Sequence, residues 1–234
     1  MTNKSLKNRD YKGLAFSTMA TGVLVVLWIG ALIAFFTTSP AENTIDKLER
    51  LENSAVLYFA NYALAILITI FTLFVFSGFS HIMRSFNKNA AGMNLALTAL
   101  YGFGNMIAYL SQIILIPFLY HSDKVSEEKL LQIGELLLQD VNYSVVSYIN
   151  IGAYAVLGLA SILSGHYLNK VHPKLKTPAL LLAFSGVLSL AAFGGTLVKS
   201  PEIQSLTLVS GAVYMISMFA LSINIRKHHQ EFKY

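Results

Sequence analysis

The sequence predicts an all-α fold: an integral membrane bundle of six transmembrane helices with short amphipathic helices in the outer loops. Three observations predict it. Hydrophobic residues make up 55% of the 234 residues and charged residues only 12%, where a soluble globular chain carries about a quarter charged. The apolar residues gather into six long runs. The Lys and Arg between those runs concentrate in alternate connections, and the acids in the others.

The runs are 14–37, 55–80, 91–119, 144–168, 178–198 and 205–225, and none contains Asp, Glu, Lys or Arg. A bilayer core of about 30 Å needs roughly 20 helical residues. Hydrocarbon offers exposed backbone groups no partner, so a spanning run is either a helix or a strand of a closed barrel. Unbroken apolarity lacks the alternation of a barrel strand, which selects the helix. The first run follows Lys4, Lys7, Arg9 and Lys12 and precedes Ser39-Pro40-Ala41, an order that also suits a signal peptide. Its apolar core is far longer than the roughly 7–15 residues of such a peptide, so it reads as a retained helix. Residues 1–234 then form a single six-helix domain.

Charge sets the expected orientation. Lys4, Lys7, Arg9, Lys12, Arg84, Lys88, Lys170, Lys174, Lys176, Arg226, Lys227 and Lys233 fall on one side of the predicted topology. Lys47, Arg50, Lys124, Lys129 and Lys199 fall on the other, together with every acidic residue except Asp10 and Glu231. Lys and Arg accumulate on the cytoplasmic side, which places both termini there. The expected location is a membrane, crossed several times.

Two outer loops carry helical patterns. In the first, Ser39 at the N-cap, Pro40 at the first helical position and Glu42 at the third read as a capping box, and Ile45, Leu48 and Leu51 follow on one face. In the second, 123–139, Glu127 and Glu128 precede Leu130, Ile133, Leu137 and Val141 at helical spacing. Both read as amphipathic helices at the outer surface. The second serves either as a lid over an outward-facing cavity or as a surface cap of the bundle.

Candidate sites are uncharged. Ionisable residues inside a membrane mark proton and ion coupling, and the runs hold no acid, lysine or arginine. This points away from a carboxylate-driven pump. Polar seams recur at helical spacing instead: Asn94, Thr98, Tyr101, Asn105 and Gln112 in the third run, and Ser147, Asn150, Tyr154 and Ser161 in the fourth. Asn61 belongs to the second run's seam and Tyr214 to the sixth. Such residues either line a cavity for a small neutral or lipid-like ligand or let membrane helices hydrogen-bond and pack. Asn61, Asn94, Tyr101, Asn105, Gln112, Asn150, Tyr154 and Tyr214 are the candidate ligand-binding set, and Gly186, Gly194 and Gly195 read as close-packing sites.

No cysteine is present, which removes disulfides and thiolate chemistry. No cofactor or metal site is expected from the bundle. The alternative is one haem held by His81 and His166, at the same-side ends of the second and fourth runs. Ser164-Gly165-His166 sets its serine and histidine too close in sequence for a catalytic dyad, and no His-Glu-x-x-His occurs. The basic residues form short clusters between runs rather than a stripe with interleaved aromatics, which argues against nucleic acid.

Phe86-Asn87-Lys88-Asn89-Ala90-Ala91, opening a polar-seamed helix, and the basic 168–178 connection, ending in Pro178, resemble the DUF4386 type of uncharacterised bacterial membrane proteins. That resemblance implies six helices, a helical first outer loop, a longer outer loop before the fourth helix and a bacterial plasma membrane. It supplies no activity and no site residues. The expected role is non-catalytic: binding or carrying a small neutral or lipid-like ligand, with possible transport. A haem redox protein and a structural accessory subunit of a membrane complex are the alternatives. The lipid bilayer is the expected partner, and the oligomeric state is left open.

Overall fold

A computed structural model describes residues 3–38 and 41–231, with side chains described from Tyr11 onward in that range, His229 apart. It is all-α, with no strand among the described residues. Six stretches are long and apolar enough to cross a membrane: Tyr11–Thr38, Ala55–Met83, Lys88–Tyr120, Val145–Val171, Pro173–Leu197 and Pro201–His228. The chain is a multi-pass membrane protein, and these stretches match the six predicted runs to within a turn or so at each end.

In chain order the helices are α1 (Asn3–Thr38), α2 (Thr44–Asn53), α3 (Ala55–Met83) and α4 (Lys88–Leu110). α4 continues through a π-helical turn, Ser111–Leu115, into α5 (Ile116–Tyr120). α6 (Glu127–Leu137), α7 (Val145–Val171), α8 (Lys176–Leu197), α9 (Pro201–Gln204) and α10 (Leu206–His228) follow. Side chains mark several starts. Asn87 accepts the Ala90 N–H at 3.0 Å before α4, and Ser144 accepts the Ser147 N–H at 3.0 Å before α7. Each satisfies one of the N–H groups that a first helical turn leaves unpaired.

The first outer helix begins later than predicted. Asn43, not Ser39, is its N-cap; the Asn43 side chain accepts the Asp46 N–H at 2.9 Å, and Asp46 accepts in return from the Asn43 N–H at 3.3 Å. Asp46 also accepts the Glu42 N–H at 2.9 Å, the bond that most strongly holds its carboxyl below the usual range. Ser39 and Pro40 lie outside the described residues, and Glu42 precedes the helix rather than sitting in its first turn. Of the predicted apolar face, Leu48 and Leu51 are buried and Ile45 is exposed, and Arg50 is buried beside them. The second outer helix, α6, falls inside the predicted 123–139 stretch.

The chain forms two compact units. The terminal unit takes the chain through Val23, Ile70–Gly102 and everything from Ala153; the loop unit takes Leu24–Thr69 and Phe103–Gly152. α1, α3, α4 and α7 contribute residues to both.

Close backbone approach holds the terminal unit. Gly158 and Gly186 abut, so a Cβ on Gly158 would stand 2.7 Å from the Gly186 carbonyl oxygen, and one on Gly186 would strike the Gly158 oxygen. Seven residues along, Gly165 meets the Ala179 carbonyl in the same way. Small residues let two membrane helices gain dispersion contacts where apolar burial adds little. Gly195 likewise abuts Ile203 and Gln204, whereas Gly194, predicted as a packing site, has open space around it. Hydroxyls join α8 to α10: Ser189 and Ser210 bond at 2.7 Å, Ser210 donates to the Ser185 carbonyl at 2.8 Å, and Ser217 donates to the Pro178 carbonyl at 3.1 Å. These serines of the fifth and sixth spans thus serve packing.

The loop unit packs Phe35, Leu48, Leu51, Tyr58, Tyr62, Tyr109, Ile116, Leu138 and Val146 into one cluster. α2 lies on α6 through Gly134, where a Cβ would come within 3.0 Å of Thr44 and 3.3 Å of Leu48.

Candidate functional site

The candidate site lies in the loop unit and begins with a break in helical bonding. Pro117 has no N–H to give. One residue earlier, the Ile116 N–H bonds the Ser111 carbonyl, five back, which makes the π turn. Between them they leave the Gln112 carbonyl without a helical donor. The Tyr58 hydroxyl of α3 donates to it at 3.1 Å. Widened turns of this kind recur at functional sites.

The Gln112 side chain, fully buried, reaches the opposite way. Its Nε2 donates to the Leu137 carbonyl at 2.8 Å and to Ser111 Oγ at 2.9 Å; its Oε1 accepts the Gln139 N–H at 3.2 Å. Leu137 ends α6, and the last carbonyls of a helix need outside donors. One carboxamide therefore terminates α6 and holds the extended segment after it.

That segment delivers Gln139. Its Nε2 donates to Asn150 Oδ1 at 3.3 Å, and Asn150 Nδ2 donates to Asn105 Oδ1 at 3.2 Å. The three carboxamides run head to tail. Reversing any one would set amine against amine or oxygen against oxygen, so neighbours dictate one another's orientation. At the ends of this chain Gln139 Oε1 and Asn105 Nδ2 are buried without a partner. Asn61 Oδ1 and Trp28 Nε1 are unpartnered too. All four atoms belong to the loop unit, and no such side-chain atom occurs among the described residues of the terminal unit. Each unpaired buried polar group costs roughly 1–3 kcal/mol.

A charged cluster is continuous in sequence with Gln139. Asp140 Oδ2 accepts from Arg50 Nη1 at 2.8 Å, and the Asp140 carbonyl accepts from Lys47 Nζ at 2.7 Å. Arg50 is 3% exposed, with its guanidinium 4.7 Å from the centre of the Phe35 ring and 5.3 Å from that of Phe36. Burial pushes the Asp140 carboxyl above the usual carboxylate range, against the pull of Lys47 and Arg50.

Of the predicted ligand-binding residues, Asn105, Gln112 and Asn150 share this network, and Asn61 lies in the same unit. The other four lie in the terminal unit. Asn94 donates to Ser80 Oγ at 2.8 Å and the Phe76 carbonyl at 3.3 Å and accepts from Ser164 at 3.0 Å, which joins α3, α4 and α7. The Tyr214 hydroxyl bonds Thr72 at 3.1 Å, and the Tyr101 and Tyr154 rings pair at 5.9 Å. His81 and His166 are both exposed, and His166 Nε2 meets Lys170 Nζ at 2.8 Å. Gln139, Arg50 and Asp140 were not singled out from sequence. The one signal they left was a polar pair, Gln139-Asp140, between the apolar Leu138 and Val141.

Carboxamides neither take up nor release protons at ordinary pH, so the network suits recognition of uncharged donors and acceptors rather than acid–base chemistry. No family model, curated protein or solved structure matches the chain.

Proposed function

We propose that this protein binds a small, neutral, hydrogen-bonding ligand at the Gln139–Asn150–Asn105 chain, without catalysis. The single observation that supports the reading is the set of unpartnered buried atoms: two acceptors, Gln139 Oε1 and Asn61 Oδ1, and two donors, Asn105 Nδ2 and Trp28 Nε1. A ligand that both donates and accepts offsets their desolvation. The Arg50–Asp140 pair braces α2 against the segment that presents Gln139 and gives the site a rigid edge. We place both termini in the cytoplasm on the distribution of Lys and Arg, and the membrane as a bacterial plasma membrane on the family resemblance alone; the site's loops then face outward.

The test is a thermal-stability screen of detergent-purified protein against uncharged amides, polyols and nucleosides. One class is expected to raise the melting temperature, and Asn105→Leu is expected to abolish that rise while the variant stays monodisperse. The reading is lost if no class stabilises the protein and Asn105→Leu is as stable as the parent, since the unpaired atoms then serve nothing.

A further inference from the structure

The terminal unit carries a separate groove of about 530 Å³ between α1 and α10, lined by Tyr11, Lys12, Ala15, Phe16, Met19, Ser222 and Arg226. We propose that it holds an anionic phospholipid from the leaflet on the side of the chain termini, with the phosphate between Lys12 and Arg226 and an acyl chain along Phe16 and Met19.

The polarity of the groove is graded. Lys12 stands two residues before the first apolar run and Arg226 immediately follows the sixth, so both cations stand where their helices leave the apolar region. Both residues are exposed. Lys12, Phe16 and Met19 follow one another at spacings of four and three, which puts them on one face of α1. That face extends about 10 Å from the cation, at about 1.5 Å per residue. Phe16 is 66% exposed, so the wall is open to an acyl chain arriving from the bilayer. The floor is closed: Ser222 donates to the Ala15 carbonyl at 2.6 Å, which consumes that hydroxyl's proton and pins the two helices together. Polar recognition is left to the Lys12–Arg226 end.

This chemistry selects an anion with an apolar tail. A zwitterionic lipid has no net charge to meet two cations, and free phosphate has no use for the apolar wall. The surroundings are basic, since the two terminal segments hold Lys4, Lys7, Arg9, Lys12, Arg226, Lys227 and Lys233 against only Asp10 and Glu231. Glu231 lies 3.2 Å from each of His172 and His228.

The test uses delipidated full-length protein and three probes: phosphatidylglycerol, phosphatidylcholine of the same chains, and inorganic phosphate. Binding is read by native mass spectrometry and by the shift in melting temperature. Phosphatidylglycerol is expected to bind and stabilise most strongly. Lys12→Gln and Arg226→Gln should each weaken it about fivefold. Lys12→Arg should retain it, and Lys174→Gln with Lys176→Gln, on the same side but away from the groove, should leave it unchanged. Equal effects of the two lipids, or an unweakened preference in the Lys12→Gln/Arg226→Gln variant, would overturn the proposal. So would inorganic phosphate matching phosphatidylglycerol, which would mean a bare anion site. Should the double variant misfold, the Phe16→Ala protein carries the test: it is expected to keep both cations yet lose the advantage of phosphatidylglycerol over inorganic phosphate.

Discussion

Tyr58 shows how a single buried hydroxyl comes to matter. It is 2% exposed, and its proton goes to the one carbonyl that Pro117 and the π turn leave unbonded. Tyr58→Phe, which keeps the ring, is expected to cost about 1–3 kcal/mol, read as a lower melting temperature in detergent. Asp140 gives a pH signature. Its carboxyl titrates higher in the folded protein than in the unfolded chain, because of burial. Its stabilising contribution is therefore greatest below the ordinary carboxylate value and declines as pH rises through the raised one. Relative to Asp140→Asn, the parent should gain stability as pH falls from 7 to 4. A relative loss over that range would mean that Arg50 and Lys47 outweigh burial.

Individual helices end and pack by local rules that isolated substitutions can probe. Just past α8, whose C-cap is Val198, Lys199 sits at φ 55°. The Lys199 and Ser200 N–H groups bond the Thr196 and Gly195 carbonyls at 3.2 and 2.9 Å. Glycine suits that left-handed position, and a side chain there costs about 1–2 kcal/mol. Lys199→Gly should stabilise by about 1 kcal/mol, measured by reversible unfolding in mixed micelles. Two glycines of α8 give the opposite contrast. Gly186→Ala drives a methyl into the Gly158 carbonyl and should cost about 1–3 kcal/mol, the usual range for overpacking. Gly194→Ala meets nothing within 4 Å and should gain up to about 1 kcal/mol, because alanine loses less freedom in a helix. Thermal denaturation of the two variants side by side decides this, and equal effects would remove the close-packed α7–α8 seam from the account.

Over the whole molecule, charge is the organising quantity. Twelve Lys and Arg lie on the termini side of the predicted topology, and most of the acids lie on the other. This predicts that a reporter active only in the cytoplasm will be active after Tyr234 and after Lys88, and silent after Lys124. Activity at Lys124 would reverse the proposed orientation.

Spans and seams were legible because hydrocarbon imposes a one-dimensional rule: an apolar stretch of sufficient length must be helical, and a polar residue within it must turn from lipid. Asn94, Asn105 and Gln112 were found in this way, and all are fully buried. What each seam residue bonds was not legible, since identical periodicity serves packing at Asn94 and leaves an unpaired donor at Asn105. Gln139 was not legible because loops carry no such rule, and its placement depends on Gln112, 27 residues earlier. The first outer helix was misplaced by a similar local competition. Ser39-Pro40 and Asn43-Thr44 both suit a helix start, and the reciprocal Asn43–Asp46 bonds mark the one that α2 uses.

The sequence by itself determined the solvent, the number of crossings and the helical class, because composition and length act locally and need no knowledge of neighbours. Only the tertiary structure decided which polar atoms find partners, since a hydrogen bond across the bundle depends on two surfaces meeting at about 3 Å. The four atoms left unpaired in the loop unit, and the two cations at the edge of the α1–α10 groove, belong to that second kind of knowledge.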